Sequence, residues 1–374
     1  MARLNTCVEI ILLLSQLLLL TKADYRLESV QVIFRHGDRT PTREELYPKL
    51  PHNPIYDSLG YGQLTEIGKK REYRLGTLLR QRYGKFLGDV HNYNDVYAVS
   101  TDFERTKMSL QLVLSGLYPS DQAHLNAMPL IYVPKIVDTL MLPMSCPTYV
   151  KELKRIKNSA MLHALLTNYW DLFEYISRNT GLDMSDPLFT TSTLYHFLVT
   201  QKSMKISLPG WINENVQRRI EEIVRLEYEV QSYTTALKRM YGGHLIKEFI
   251  QNMNSKRNAS ANSPKLFLYS GHEVNVAAFA KAHGFMLPTI PAYGSAIIVE
   301  KWQNSAGKGF VQMLHWTGVT ENLLPYVIHN CGNMCPYERY VQLVQDVLPT
   351  NEDSNCLWNT ITKDNLRSYY SRKF

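Results

Sequence analysis

The chain has 374 residues, of which 45% are hydrophobic and 20% charged, with 17 prolines and 19 glycines spread along it. That length allows two domains or one large domain with an insertion, and the composition supports a sizeable core while excluding disordered, fibrous and low-complexity classes. The formal charge of +7 is mild, and the densest basic stretch, residues 151–157, has helical spacing with Leu153 and Ile156 on its other face. It reads as a solvated helix surface, so nucleic acid is not an expected partner.

Residues 1–23 have the make-up of a secretory leader: Arg3 near the start, an apolar run over 10–20 broken only by Ser15 and Gln16, and the small residue Ala23 after Thr21 and Lys22. The run is too short to span a bilayer, and no later stretch approaches the roughly 18 apolar residues of a membrane helix. The mature chain is expected to begin near Asp24, to carry no membrane anchor and to be secreted, with the lysosomal lumen as the lesser alternative.

Three short apolar runs then each end in a cluster of reactive residues. Val30-Gln31-Val32-Ile33-Phe34 leads into Arg35-His36-Gly37. Val96-Tyr97-Ala98-Val99 leads into residues 100–105, and Leu266-Phe267-Leu268-Tyr269 leads into Ser270-Gly271-His272-Glu273. Each run is β-prone and bounded by turn formers, as a buried strand is. Helical periodicity follows each one: Leu64, Ile67, Leu75, Leu78 and Leu79 over 64–83; Met108, Leu110, Leu112, Val113 and Leu117 over 105–117; and an Ala-rich stretch over 274–283. Strand, loop and helix repeated in this way predict an α/β sheet with helices on its faces. Ligands of such sheets bind beyond the carboxyl ends of the strands, where the three reactive clusters fall.

From 146 to 240 strand-like runs disappear. Residues 161–166 and 216–237 look helical, with turns at Asp186-Pro187 and Leu208-Pro209-Gly210. A helical cap at 146–240, inserted between two parts of one α/β domain at 24–145 and 241–374, is the simplest expectation. Residues 296–302 and 310–316 read as a closing hairpin.

Five cysteines become four when Cys7 leaves with the leader. In an oxidising compartment four cysteines make two disulfides, with three pairings open. Cys331 and Cys335 flank Gly332-Asn333-Met334, a loop short and flexible enough to close on itself, which leaves Cys146 for Cys356. A zinc site would need clustered nitrogen or sulfur ligands and is not expected. Asn258-Ala259-Ser260 is the one glycosylation sequon and lies in a polar stretch over 252–263.

Arg35-His36-Gly37-Asp38-Arg39-Thr40-Pro41 fits the pattern R-H-G-x-R-x-P, which chance would place in about one chain in ten thousand of this length. A phosphoryl group in transfer spreads negative charge over its oxygens, and guanidinium forks hold that charge in a fixed orientation. Between two such forks, a neutral imidazole nitrogen of His36 can attack phosphorus and split hydrolysis into two easier steps. Gly37 permits close backbone approach. Further along, His272 can donate to a phosphoryl oxygen, and Glu273 can protonate a leaving alkoxide and then activate water. The competing reading of Glu273 is an acid complementing the dipole of a helix first turn; a zincin would need a second histidine at Val276. Arg105, just past a second strand end, is the third candidate guanidinium, against the plainer reading of a surface arginine.

At these residues the chain resembles the histidine acid phosphatases, the branch containing prostatic, lysosomal and insect venom acid phosphatases. The resemblance covers essentially the whole mature chain. It runs through the loop at 35–41, Leu64-Thr65 with Gly68, the S-T-x-x-x-R-T segment at 100–106, Leu208-Pro209-Gly210-Trp211, Tyr241-Gly242-Gly243 and Ser270-Gly271-His272-Glu273. The segment 107–114 and the S-G-H-E form look most like the insect venom members. The resemblance implies a three-layer, phosphoglycerate mutase-like α/β fold with an inserted helical cap. It also implies a metal-independent, cofactor-free phosphatase of acid optimum acting on small-molecule or protein phosphate monoesters, and a homodimer. His36 would be the nucleophile, Arg35, Arg39, Arg105 and His272 the phosphate ligands, and Glu273 the proton donor. Two departures stand out: much of the family has Asp where this chain has Glu273, although the venom branch also carries Glu, and the cysteines of a third, vertebrate disulfide in the cap are missing. A phytase-like inositol phosphate phosphatase would need further basic residues around the mouth. A catalytically retired secreted binding protein is the alternative from another class, and the intact residue set argues against it.

Overall fold

The computed structural model describes residues 25–89, 92, 94–119, 130–255, 263–285, 287, 290–320 and 322–354. The expected leader at 1–23, the sequon at Asn258 and the cysteine Cys356 lie outside the described residues. The strands are β1 (Tyr25–Arg35), β2 (Val96–Thr101), β3 (Ile131–Val133), β4 (Leu266–Gly271), β5 (Ala296–Asn304), β6 (Gly309–Trp316), β7 (Leu324–Tyr326) and β8 (Cys335–Pro336). The α-helices are α1 (Pro54–Leu59), α2 (Glu66–Leu87), α3 (Glu104–Leu117), α4 (Pro147–Lys157), α5 (Ala160–Thr167), α6 (Trp170–Thr180), α7 (Pro187–Ser203), α8 (Glu214–Gln231), α9 (Thr235–Lys238), α10 (His244–Ser255), α11 (Glu273–Ala282), α12 (Tyr337–Val344) and α13 (Asn351–Ser354).

All the strands join one sheet in the order β3-β2-β4-β1-β5-β6-β7, with β8 on β6. The block from β3 to β1 is parallel, while β5 runs antiparallel to β1 and forms the expected hairpin with β6. Strand β1 sits in the middle and is buried on both faces. Its Val30, Val32 and Phe34 pack with Leu75 and Leu79 of α2 and Leu110 and Val113 of α3. Its Ile33 faces the other way, toward Leu245 and Phe249 of α10 and Val276 and Phe279 of α11. Helices therefore cover both faces, the three-layer arrangement that a parallel block requires. The one polar break in the run, Gln31, is fully buried and donates to the Phe249 carbonyl at 2.9 Å while accepting from Asn252 at 2.9 Å, so its amide is satisfied where water cannot reach.

Residues 147–255 contain no strand. Leu153, Ile156, Phe173, Ile176, Leu194, Phe197, Ile220 and Ile223 from α4, α6, α7 and α8 form a hydrophobic cluster of their own, joined by Tyr47 from the loop after β1. Two local details differ from the periodicity of the sequence. Asp186-Pro187 opens α7 as cap and first residue, with Asp186 accepting from the Phe189 amide at 3.2 Å. The helical run expected over 216–237 breaks after Gln231, where Thr234 caps the short α9 by accepting from the Leu237 amide at 3.1 Å; a hydroxyl next to the backbone ends one helix and starts another. Cys331 and Cys335 are joined in a disulfide. Cys146 is also disulfide-bonded. Among the described residues, no helix is long and apolar enough to cross a membrane.

The loop that follows β1 is clamped to the start of α2. Thr65 caps α2 by accepting from the Gly68 amide at 3.2 Å, and the Thr65 amide donates to the Asp38 carbonyl at 2.9 Å. Gly37 and Gly68 lie back to back, and a Cβ on Gly68 would collide with the carbonyl oxygen of Asp38. Gly68→Ala is expected to destabilise the protein by at least about 1–3 kcal/mol, the usual cost of overpacking, and to lower activity by displacing the loop at 35–41. Urea unfolding of the two proteins measures this; equal midpoints would mean that the clamp is loose.

Candidate active site

Arg35 is the last residue of β1, paired in register with Gly271 of β4. Its amide donates to the Ser295 carbonyl at 2.9 Å, and the next amide, of His36, donates to the Gly271 carbonyl at 3.0 Å. The chain thus leaves the sheet between two neighbours that fix its direction. The Arg35 side chain is only 2% exposed. Its Nη1 donates to the Pro291 carbonyl at 2.7 Å, its guanidinium lies 4.2 Å above the Tyr293 ring, and its Nε is 3.0 Å from Glu273 Oε2.

His36 Nδ1 lies 2.9 Å from the carbonyl oxygen of its neighbour Gly37. A carbonyl only accepts, so Nδ1 carries the proton and donates it, leaving Nε2 with a free lone pair. Burial, followed by the charges of Arg105 and Arg35, holds the imidazole well below its usual pKa and favours the neutral ring. Arg39 is gripped by Glu45 in a two-pronged pair, Nη1 to Oε2 at 2.7 Å and Nη2 to Oε1 at 2.5 Å. Glu45 also accepts from the Thr42 amide at 2.9 Å. Burial would raise the Glu45 pKa, but Arg39 outweighs it and keeps the carboxylate ionised. Asp38, between the two arginines in sequence, turns the other way and accepts from Arg71 Nε at 2.5 Å and Ser203 Oγ at 2.6 Å.

Arg105 enters from the first turn of α3, just beyond β2, with its guanidinium 4.5 Å above the Phe103 ring. Burial, then Arg39, pulls its pKa down to about 10, which leaves it a cation at neutral and acid pH. Each of Arg35, Arg39 and Arg105 retains a buried guanidinium N–H without a hydrogen-bond partner among the described residues: Nη2 of Arg35, Nε of Arg39 and Nε of Arg105. Orphaned buried donors on three cations are costly unless an anion completes them.

His272 and Glu273 come from the junction of β4 and α11. The His272 ring stands edge-on to His36, 5.5 Å between centroids, and edge-on to Phe103 at 4.8 Å. Its Nε2 contacts Thr101 Oγ1 at 3.1 Å. Burial, then Arg105, lowers its pKa to about 3. For Glu273, burial would raise the pKa, but Arg35, then His196 and His272, outweigh it and hold the carboxyl well below the usual range. In the free protein Glu273 is therefore an ionised partner of Arg35.

The six residues singled out from the sequence thus meet in one place, at the carboxyl ends of β1, β2 and β4. The Leu208-Pro209-Gly210-Trp211 segment does not join them; Trp211 packs edge-on against Tyr175, 6.0 Å away in the helical segment. Three neighbours carried no sequence signal strong enough to find them: Glu45, Tyr293 and His196. His196 in α7 puts Nε2 3.5 Å from Glu273 Oε1, yet in sequence it is a lone histidine in a helix.

A family model described as the histidine phosphatase superfamily (branch 2) matches residues 26–315. The chain is 35% identical over 342 residues to venom acid phosphatase Acph-1 of Apis mellifera, covering 88% of this chain and 87% of that one. It is 29% identical over 348 residues to prostatic acid phosphatase of Homo sapiens, with 88% of each covered. Among solved structures, the phytase from Citrobacter braakii superposes with a TM-score of 0.65 at 16% identity, over 88% of this chain and 99% of that one, a likeness of fold that accords with a phosphoglycerate mutase-like architecture. The chain belongs to the histidine phosphatase superfamily, branch 2, and within it to the histidine acid phosphatases.

The buried neutral imidazoles link stability to pH. An imidazole whose folded pKa is lowered takes up a proton on unfolding, so the native state has its full stability above about pH 6.5 and loses it as pH falls toward the folded value, at up to about 1.4 kcal/mol per pH unit for each group. For His272 that window runs down to about 3. Urea unfolding followed from neutral pH to about pH 4 is expected to show a shallower decline for His272→Asn than for the wild type; an unchanged slope would mean that His272 is already protonated in the folded protein.

Proposed function

We propose that this phosphatase works through a phosphohistidine at His36. The observation that carries this reading is the free Nε2 lone pair of His36, set among three buried guanidiniums that each keep one N–H without a hydrogen-bond partner among the described residues. A phosphate monoester fills that space with its non-bridging oxygens on Arg35, Arg39 and Arg105, and His272 lines the same wall. Nε2 attacks phosphorus in line with the ester oxygen; the P–O bond breaks, and the alkoxide takes the proton of the Glu273 carboxyl. Water then attacks the phosphohistidine, Glu273 takes its proton, and inorganic phosphate leaves with His36 restored. The proton given in the first half is recovered in the second.

Glu273 must be protonated for the first half, although the free protein holds it ionised against Arg35. The substrate supplies the change. A dianion beside the carboxylate disfavours its charge and draws on the same guanidinium, so the Glu273 pKa rises as the phosphate seats. Activity is then an acid-side property that fades as Glu273 loses its proton in the bound complex.

The wider reading is of a secreted enzyme whose leader is 1–23, with a cap at 146–240, a glycan at Asn258 and Cys146 paired with Cys356. The kinship with venom and prostatic enzymes supports an extracellular or lumenal setting. The likeness to phytases is one of fold and brings no substrate with it.

Glu273→Gln keeps the shape and removes the acid. Glycerol phosphate, whose alkoxide leaves poorly, should lose about 10²-fold to 10⁴-fold more rate than p-nitrophenyl phosphate, whose phenolate leaves unaided. Both assays are run in EDTA, where the proposed chemistry keeps its full rate. Equal losses on the two esters, with chemistry rate-limiting for each, would mean that Glu273 only positions phosphate.

A further inference from the structure

We propose that His196 is a positioning residue for proton transfer, anchoring the Glu273 carboxyl from the helical segment once the phosphate has taken Arg35; this rests on the reading of Glu273 as proton donor. The carboxyl is held at both ends. Oε2 lies 3.0 Å from Arg35 Nε, and Oε1 lies 3.5 Å from His196 Nε2. The two holders have different fates when substrate binds. Arg35 is a phosphate ligand and must share its charge with the incoming dianion, which loosens its hold on Oε2. His196 reaches the site from α7, and its remaining nitrogen, Nδ1, has no partner among the described residues. It is free to follow Oε1 over the few tenths of an ångström that separate this contact from a hydrogen bond.

The helix that carries His196 is pinned at several points to the loop after β1 and to α1. Ser203 Oγ donates to Asp38 Oδ1 at 2.6 Å, Gln201 accepts from the Tyr56 hydroxyl at 2.7 Å, and the Phe197 ring stands edge-on to Tyr47 at 5.4 Å. Asp38 and Tyr47 flank Arg39 and Glu45 in sequence, so the imidazole is referenced to the same loop that carries His36. The need for such an anchor follows from the side chain itself. Glutamate has one more rotatable bond than aspartate and more rotamer freedom to lose, and a carboxyl misplaced by about 1 Å can cost 10²-fold in rate. The groups facing this pair are Arg35 at the end of β1, Arg39 and Glu45 in the loop beyond it and His272 before α11, with the Tyr195 ring beside His196 on α7 at 5.4 Å. His196 makes and breaks no bond to the substrate: the proton moves from Glu273 to the leaving oxygen and returns from water.

The test compares His196→Leu, which removes the donor, with His196→Gln, whose amide N–H can reach the same oxygen, each alone and combined with Glu273→Gln. Steady-state kinetics are read on glycerol phosphate and p-nitrophenyl phosphate. His196→Leu is expected to lower kcat on glycerol phosphate by up to about 10²-fold, with a much smaller loss on p-nitrophenyl phosphate and little change in KM. His196→Gln should retain more of the rate, and neither substitution should add a further loss in the Glu273→Gln background. If Glu273→Gln discriminates between the two esters while His196→Leu does not, or if the His196 loss persists in full without the Glu273 acid, the positioning role is overturned and the Glu273 reading stands. If Glu273→Gln itself fails to discriminate, both fall. Should His196→Leu not fold, the Gln variant and its double mutant carry the same comparison.

Discussion

Three arginine side chains buried around one imidazole repel one another, and much of the surrounding structure serves to keep them there. Arg39 is tied in two places to Glu45, Arg35 is shared between Glu273 and the Pro291 carbonyl, and Arg105 rests on the Phe103 ring. Those partners neutralise part of the charge and leave some N–H groups without any partner. Burial first, and then this concentration of positive charge, lowers the His36 pKa, and the charge gives the site its demand for an anion. The charge that favours an anion in the site thus also works against protonation of the imidazole at its centre.

The fold supplies the rigidity that such a cluster needs. Strand β1 is hydrogen-bonded on both sides up to its last residue, so Arg35 and His36 emerge at a fixed point. The contact of Gly37 with Gly68 holds the loop against the start of α2. From the other side α7 closes on the same loop through Ser203 and Asp38. The helical segment is therefore bound to the site by hydrogen bonds to residues of the loop after β1 as well as by its own hydrophobic cluster. A change in how α7 packs would be felt first at Asp38 and at Glu273.

Much of this is legible in the sequence, for reasons that can be named. The three strand ends are legible because each is a short β-prone run closed by turn formers, and because candidate site residues at strand ends sit next to each other in the chain. Residues 35–41 therefore read as a unit, and so do His272 and Glu273. Helix boundaries fall within a few residues wherever apolar spacing is regular, as in α2 and α3. The short edge strands β3, β7 and β8 are not legible, because two or three residues carry no periodicity. Nor are Glu45, Tyr293 and His196, whose roles depend on contacts between distant segments: His196 meets Glu273 only because α7 folds back over the loop after β1, a packing decision made by Tyr47, Tyr56 and Phe197 that no local pattern announces. The break at Ser232 to Thr234 was hidden by the apolar spacing that continues on either side of it.

The measurement that bears most directly on the chemistry is a trap of the covalent intermediate. Wild-type protein quenched in base during turnover of a ³²P-labelled ester should carry label that survives base and is lost in acid, as a phosphoramidate bond is, and peptide mapping should place it on His36. His36→Ala, shown to be folded, should carry none. Label that survives acid, or that maps to any other residue, would contradict an imidazole nucleophile at His36.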